Sequence, residues 1–77
     1  MKIYIIKDYG VYSGDLDCSI NVFPSLQKAK KNFLERIKEV LQFKEVDNIE
    51  YNTDYKSYFW ARTDDWENEI EIQTINI

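Results

Sequence analysis

Four groups of residues in this chain could do chemistry: a lone cysteine, Cys18, two acidic groupings, and a segment that interleaves aromatics with cations. The 77 residues include no histidine, so serine–histidine, cysteine–histidine and histidine–metal arrangements cannot be assembled. Cys18 alternates with Ile20 and Val22, which predicts a core-facing thiol that behaves as a small apolar group rather than a nucleophile. Calcium loops set oxygen ligands at fixed offsets around a glycine turn and close on a bidentate glutamate. Neither Asp15-Leu16-Asp17 nor the run Asp64, Asp65, Glu67, Glu69 has that spacing. The expectation is a protein that is not an enzyme and uses no cofactor or metal.

The remaining candidates concern binding. Lys56, Tyr58, Trp60 and Arg62 alternate along one segment, and aromatics on a sheet can stack on unpaired bases. The segment lacks the glycines and spacing of the RNA-recognition strand, and an acidic stretch follows it, so nucleic acid is an unfavoured partner. Lys28, Lys30 and Lys31 occupy the start of a predicted helix, where positive charge opposes the helix dipole. They form either an anion site or a solvated face. Asp64, Asp65, Glu67, Glu69 and Glu71 surround Trp66, a residue type enriched at binding hot spots. They form the predicted partner-binding group, with packing over the sheet end as the alternative role of Trp66.

Charge is unevenly distributed. Net charge is −4, but residues 1–44 hold eight Lys/Arg against five Asp/Glu, whereas residues 45–77 hold two against nine. Phosphate binding needs a basic footprint, whereas this polarity suits docking onto a basic protein surface. The length implies one domain spanning 1–77, with a thin core helped by an aromatic content of 16%. The single cysteine favours a reducing compartment. The initial apolar run is too short for a signal peptide, and no stretch reaches membrane-spanning length, so a cytoplasmic location is expected.

Residues 2–9 read as a strand rich in β-branched and aromatic residues. Ile3 and Ile5 lie on one side and Tyr4 and Ile6 on the other, which predicts a central place in the sheet. Residues 10–16 hold both glycines and suit a hairpin loop. Residues 17–23 alternate as a half-buried strand. Ser25 is a predicted helix N-cap, and Leu26, Ala29, Phe33, Ile37, Val40 and Leu41 follow helical spacing, with Leu34 and Phe43 widening the stripe. Residues 44–56 are polar, although Ile49-Glu50-Tyr51 could pair briefly. Residues 57–63 form a strand in which Tyr58-Phe59-Trp60 must place aromatics on both faces. Residues 64–68 read as an acidic connection and residues 69–76 as the last strand.

The expected fold is therefore α+β: β-β-α-β-β, with a mainly antiparallel sheet ordered 2-1-3-4 and the third strand parallel to the second. The alternative order, 2-1-4-3, was expected to make the first and last strands parallel. One helix covers one face, so the other is left for association, through Tyr4, Ile6, Tyr58 and Trp60.

Met1 to Ile6, Asp8-Tyr9-Gly10, Val22-Phe23-Pro24-Ser25 and Lys28-Ala29-Lys30 form a pattern that resembles small uncharacterised proteins of phages and other mobile elements. Those proteins close on an acidic, isoleucine-rich strand, as Glu69-Ile70-Glu71-Ile72 does. The resemblance assigns no functional residues. It implies a counter-defence role, such as an anti-CRISPR-like inhibitor that works by binding; the acidic residues 45–77 add the expectation of a host partner that handles nucleic acid, met through an acidic surface. A homodimeric module that packs its open sheet faces together is the alternative, and a single-strand nucleic-acid binder is a third.

Overall fold

The computed structural model describes residues 1–12, 14–42 and 48–77. The chain runs β1 (Lys2–Tyr12), β2 (Asp15–Phe23), α1 (Leu26–Leu41), β3 (Glu50–Thr53), β4 (Tyr58–Arg62) and β5 (Trp66–Asn76). The strands form one sheet ordered β2-β1-β5-β4-β3, with every neighbouring pair antiparallel. The α+β class is as expected, and β1, apolar on both faces, does sit between two neighbours.

Strand number and order differ from the sequence expectation. The polar stretch before the aromatic strand contributes β3, which is the strand that returns parallel to β2 after the helix. This additional reversal inverts the direction of everything that follows. The last strand can then pair antiparallel with β1, in place of the expected contact between β1 and the aromatic strand. The β1–β5 pairing is the longest in the molecule, from Lys2↔Asn76 to Tyr12↔Trp66 without a break. Ile77 N–H extends it by donating to the Met1 carbonyl at 2.8 Å.

The helix begins where the sequence predicts. Ser25 is extended (φ −135°, ψ 147°), and its Oγ accepts from the Lys28 N–H at 3.3 Å, which satisfies one of the free donors of the first turn. Ala29, Phe33 and Ile37 bury one stripe against Ile6 of β1, Phe59 and Ala61 of β4, and Ile70 of β5. Tyr4, Phe23, Val40, Leu41, Ile49, Trp66 and Ile72 pack around this core. Leu34, predicted to widen the stripe, is exposed instead, since it lies off the buried face of the helix. Phe43 and residues 44–47 lie outside the described residues.

A polar contact fixes the helix over the sheet. Arg36 Nε donates to Asp8 Oδ2 at 2.5 Å, and Asn68 Nδ2 donates to Asp8 Oδ1 at 2.9 Å and to the Tyr9 carbonyl at 3.0 Å. Asn68 is buried, and its amide orientation follows from these two acceptors, because the flipped amide would set oxygen against oxygen. Asp8 thus joins three elements: α1, β1 and β5.

Gly10 was expected in a loop, yet it is a buried residue inside β1. A Cβ there would stand 2.6 Å from the Glu67 carbonyl oxygen and 2.8 Å from Tyr12 Cε2. The Tyr12 ring covers the site left by the missing side chain and then meets Trp66, with centroids 6.2 Å apart. Gly14, with φ 87°, is the glycine that serves the β1–β2 turn, because positive φ is readily available only without a Cβ. Gly10→Ala is predicted to destabilise the fold by about 1–3 kcal/mol, since a backbone carbonyl cannot step aside. The measurement is urea denaturation, with a lowered midpoint and an unchanged slope.

Candidate binding face

Side-chain parity follows from strand register, because paired residues in a sheet share a face. Ile6 pairs with Ile72, and both belong to the helix side with Tyr4, Asp8, Gly10 and Tyr12. The opposite, uncovered face therefore carries Ile5, Lys7, Tyr9 and Val11 from β1. It carries Glu67, Glu69, Glu71 and Gln73 from β5, and Tyr58, Trp60 and Arg62 from β4. Tyr4 and Ile6, predicted for the open face, lie under the helix instead. Ile6 is 1% exposed and Tyr4 packs on the core.

The predicted partner-binding residues separate in the same way. Glu67, Glu69 and Glu71 form a row down the centre of the open face. Trp66 turns to the helix side against Tyr12, so it performs the packing role. Asp64 and Asp65 are exposed in the β4–β5 turn. That turn is closed by Thr63, whose N–H donates to the Trp66 carbonyl at 2.8 Å and whose Oγ1 accepts from Asp65 and Trp66 N–H groups at 3.1 and 3.2 Å. Tryptophan and acidic row are adjacent in sequence yet occupy opposite faces, because β5 begins at Trp66 rather than three residues later.

Each glutamate of the row sits between two named neighbours. Glu71 pairs with Lys7 on β1 and Tyr58 on β4. Glu69 pairs with Tyr9 and Trp60, and Glu67 with Val11 and Arg62. Arg62 is held by Glu50 of β3, with its Nε and Nη2 both 3.0 Å from Glu50 Oε2. Its guanidinium carbon stands 5.5 Å from the Trp60 ring centroid. Tyr58, Trp60, Arg62, Glu67 and Glu69 line a shallow depression of about 290 Å³. The aromatic residues considered for base stacking are therefore the direct cross-strand neighbours of carboxylates.

Glu69 shapes the acidity of both flanking phenols. Hydrogen bonding to Glu69, then desolvation and the charges of Glu69 and Glu71, push the Tyr9 phenol up to about 12 from 10.0. Desolvation, followed by hydrogen bonding to Glu69, raises Tyr58 as well. The edge of the face is set by the β3–β4 turn, in which Asp54 Oδ1 accepts from the N–H groups of Lys56, Ser57 and Tyr58 at 2.7, 2.8 and 3.1 Å. These donors, Ser57 and Lys56 foremost, hold the Asp54 carboxyl well below the usual carboxylate range.

Cys18 was predicted to face the core, and here the structure corrects the sequence. Tyr9↔Cys18 pairing places it on the open face, where it is exposed as a free thiol. Alternation showed that Cys18, Ile20 and Val22 share a side, but register alone decides which side; Leu16, expected in the loop, joins them at the start of β2. Lys28, Lys30 and Lys31 are all exposed on the helix, away from the glutamate row. Among the described residues, no group of three or more Cys, Asp or Glu is placed to hold a metal ion. No helix among them is long and apolar enough to cross a membrane.

Two measurements check this electrostatic arrangement. In an ultraviolet titration of the folded protein, Tyr9 should ionise near pH 12, and Glu69→Gln should return it toward 10. A raised phenol pKa stabilises the fold fully below the unfolded value and loses that contribution as pH rises through the folded value. Stability should therefore fall between these two pH values, and less so in Glu69→Gln. For Asp54 the sign is opposite: the depressed carboxyl supports the turn above its unfolded pKa, and the support is lost only in strong acid. Asp54→Ala should accelerate amide exchange at Lys56, Ser57 and Tyr58 at neutral pH.

Comparison with known proteins finds no matching family model, no matching curated protein and no matching solved structure, so the functional reading rests on the geometry of this face.

Proposed function

We propose that this chain is a non-enzymatic protein-binding module that docks the open face of its sheet onto a basic surface of a partner protein. The observation that carries this reading is the row Glu67, Glu69 and Glu71 on the face that the helix leaves uncovered, flanked by Tyr9, Tyr58 and Trp60. Alternate residues on one strand stand about 6.6 Å apart, so the row presents evenly spaced negative charge along a straight line. Tyrosine and tryptophan beside it supply rigid contact area at small entropic cost. Asp64 and Asp65 extend the negative potential beyond one end of the row and favour encounter with a cationic partner.

A line of carboxylates beside aromatic rings offers a basic groove much of what a nucleic-acid strand offers. The resemblance to phage and mobile-element proteins suggests one form of this reading, an inhibitor that occupies the nucleic-acid site of a host defence protein. Lys7 and Arg62, within the same face, favour a partner surface that is mostly but not wholly basic.

The test is capture of partners from host lysate by tagged protein, compared with the Glu67→Lys/Glu69→Lys/Glu71→Lys variant. Each of these side chains points away from the core, so the variant should fold. Its partner affinity should fall at least about a hundredfold, and the salt dependence of binding should flatten. Asp64→Lys/Asp65→Lys should slow association more than it changes dissociation. An unchanged partner and an unchanged salt dependence in the triple variant would overturn the proposal.

A further inference from the structure

The glutamate row leaves the other half of the open face unexplained. β2 is nine residues long, and all of them except Phe23 at its end are exposed. Leu16 is 74% exposed and Ile20 and Val22 are each 59% exposed, all on the open face beside Cys18. Among the described residues β2 is also an edge of the sheet, so the backbone N–H and C=O groups on its outer side have no neighbouring strand there. Natural edges are blunted by lysine, proline, bulges or short length. β2 has no lysine or proline, its register with β1 is unbroken over all nine residues, and its charges, Asp15 and Asp17, are confined to the end next to the turn, leaving Cys18 to Phe23 without such protection. The opposite edge, β3, has only four residues. The chain exposes 5566 Å², whereas a compact monomer of this mass presents about 5,000 Å².

We propose that β2 is a self-association edge, at which two copies pair antiparallel about a two-fold axis at Ser19 and build one continuous ten-stranded sheet. The sequence of β2 is self-complementary in this register. Asp15 pairs with Phe23 of the second copy, Leu16 with Val22, Asp17 with Asn21 and Cys18 with Ile20, so all nine residues are matched and no like charges meet. The apolar rows of the two copies join into one band across the seam. The axis stands perpendicular to the sheet, so both helices lie on one side and both open faces on the other.

Electrostatics favours this edge over stacking of the open faces. Stacked faces would bring the row Glu67, Glu69, Glu71 toward its own copy in a desolvated contact, where like charges are costly. Edge pairing separates the two rows by five strand spacings, about 24 Å, which exceeds the Debye length in physiological salt. A strand edge buries less than a standard-sized interface, so the dimer is expected to dissociate in the micromolar range. This inference does not depend on any partner of the glutamate row, because its readout is the association state of the chain alone.

The experiment is sedimentation equilibrium of the full chain, with Cys18 kept reduced, from low to high micromolar concentration. A monomer–dimer equilibrium is expected for the natural sequence. Ile20→Lys should raise the dimer dissociation constant about tenfold or more, because it sets two cations into the apolar band. Ile20 is already exposed in the single chain, so far-ultraviolet circular dichroism should not change. Ser19→Cys in a Cys18→Ser background sets two thiols across the axis and should give a covalent dimer on mild oxidation; this holds the proposal open to test should Ile20→Lys fold poorly. A natural chain that stays monomeric throughout would overturn the proposal. So would a dimer that persists in Ile20→Lys, one that Trp60→Glu dissociates instead, or cysteines at 19 that do not cross-link.

Discussion

The antiparallel pairing of β1 with β5 is the constraint on which the rest of the structure depends. It joins the first strand to the last over eleven residues each and thereby fixes the phase of the pleat across the sheet. Once Ile6 is opposite Ile72, Glu69 must lie beside Tyr9, and Tyr12 must lie beside Trp66. A slip of one residue would send the glutamates under the helix and the isoleucines into water. Burial of Asn68 between Asp8 and the Tyr9 carbonyl penalises such a slip further, because its donors would be left unpaired in the interior.

The same pairing produces an asymmetric sandwich. The molecule measures 42 × 23 × 15 Å along its principal axes, and its short dimension accommodates one sheet and one helix. Apolar cover is therefore available on one side only, where, among the described residues, seven apolar side chains from α1 and three strands are buried. The Arg36–Asp8 contact adds direction to this packing. Hydrophobic contact holds a helix on a sheet without specifying its rotation, whereas a guanidinium that must meet one carboxylate narrows the choice. Tyr12, folded over Gly10 and against Trp66, closes one end of the core beside Arg36 and Val40 of the helix.

Chemically, the uncovered side is two surfaces rather than one. Over β5 and β4 it is a carboxylate row with aromatic flanks, suited to a cationic protein surface. Over β2 it is a narrow apolar band at an unpaired edge, suited to another strand. The division follows from composition along the chain: the acidic C-terminal half supplies the sheet centre, and the early hairpin supplies the edge. Pairing at β2 would place both rows on one broad face, so a binding role and a self-association role are physically compatible.

Much of this was readable in the residues themselves. Helical spacing from Leu26 to Leu41 with Ser25 before it determined the helix, because both signals are local. Alternation determined which residues of each strand share a side, and three consecutive aromatics required that β4 present large rings to both faces. Distance in sequence hid the rest. Whether Cys18, Ile20 and Val22 point in or out depends on pairing with Tyr9, Lys7 and Ile5, and no pattern within β2 carries that phase. The four-residue strand β3 showed itself only as a brief pairing at Ile49-Glu50-Tyr51, too short and polar to count as a strand of the sheet, yet its reversal of direction decides that β5 rather than β4 lies beside β1. Trp66 and Glu67 are neighbours in the chain and were grouped as one surface, but a strand puts successive residues on opposite sides. The sequence by itself determined the elements and their amphipathic faces, which depend on contacts a few residues apart. Only the tertiary structure decided which face meets the helix, because that depends on hydrogen-bond register between strands some sixty residues apart.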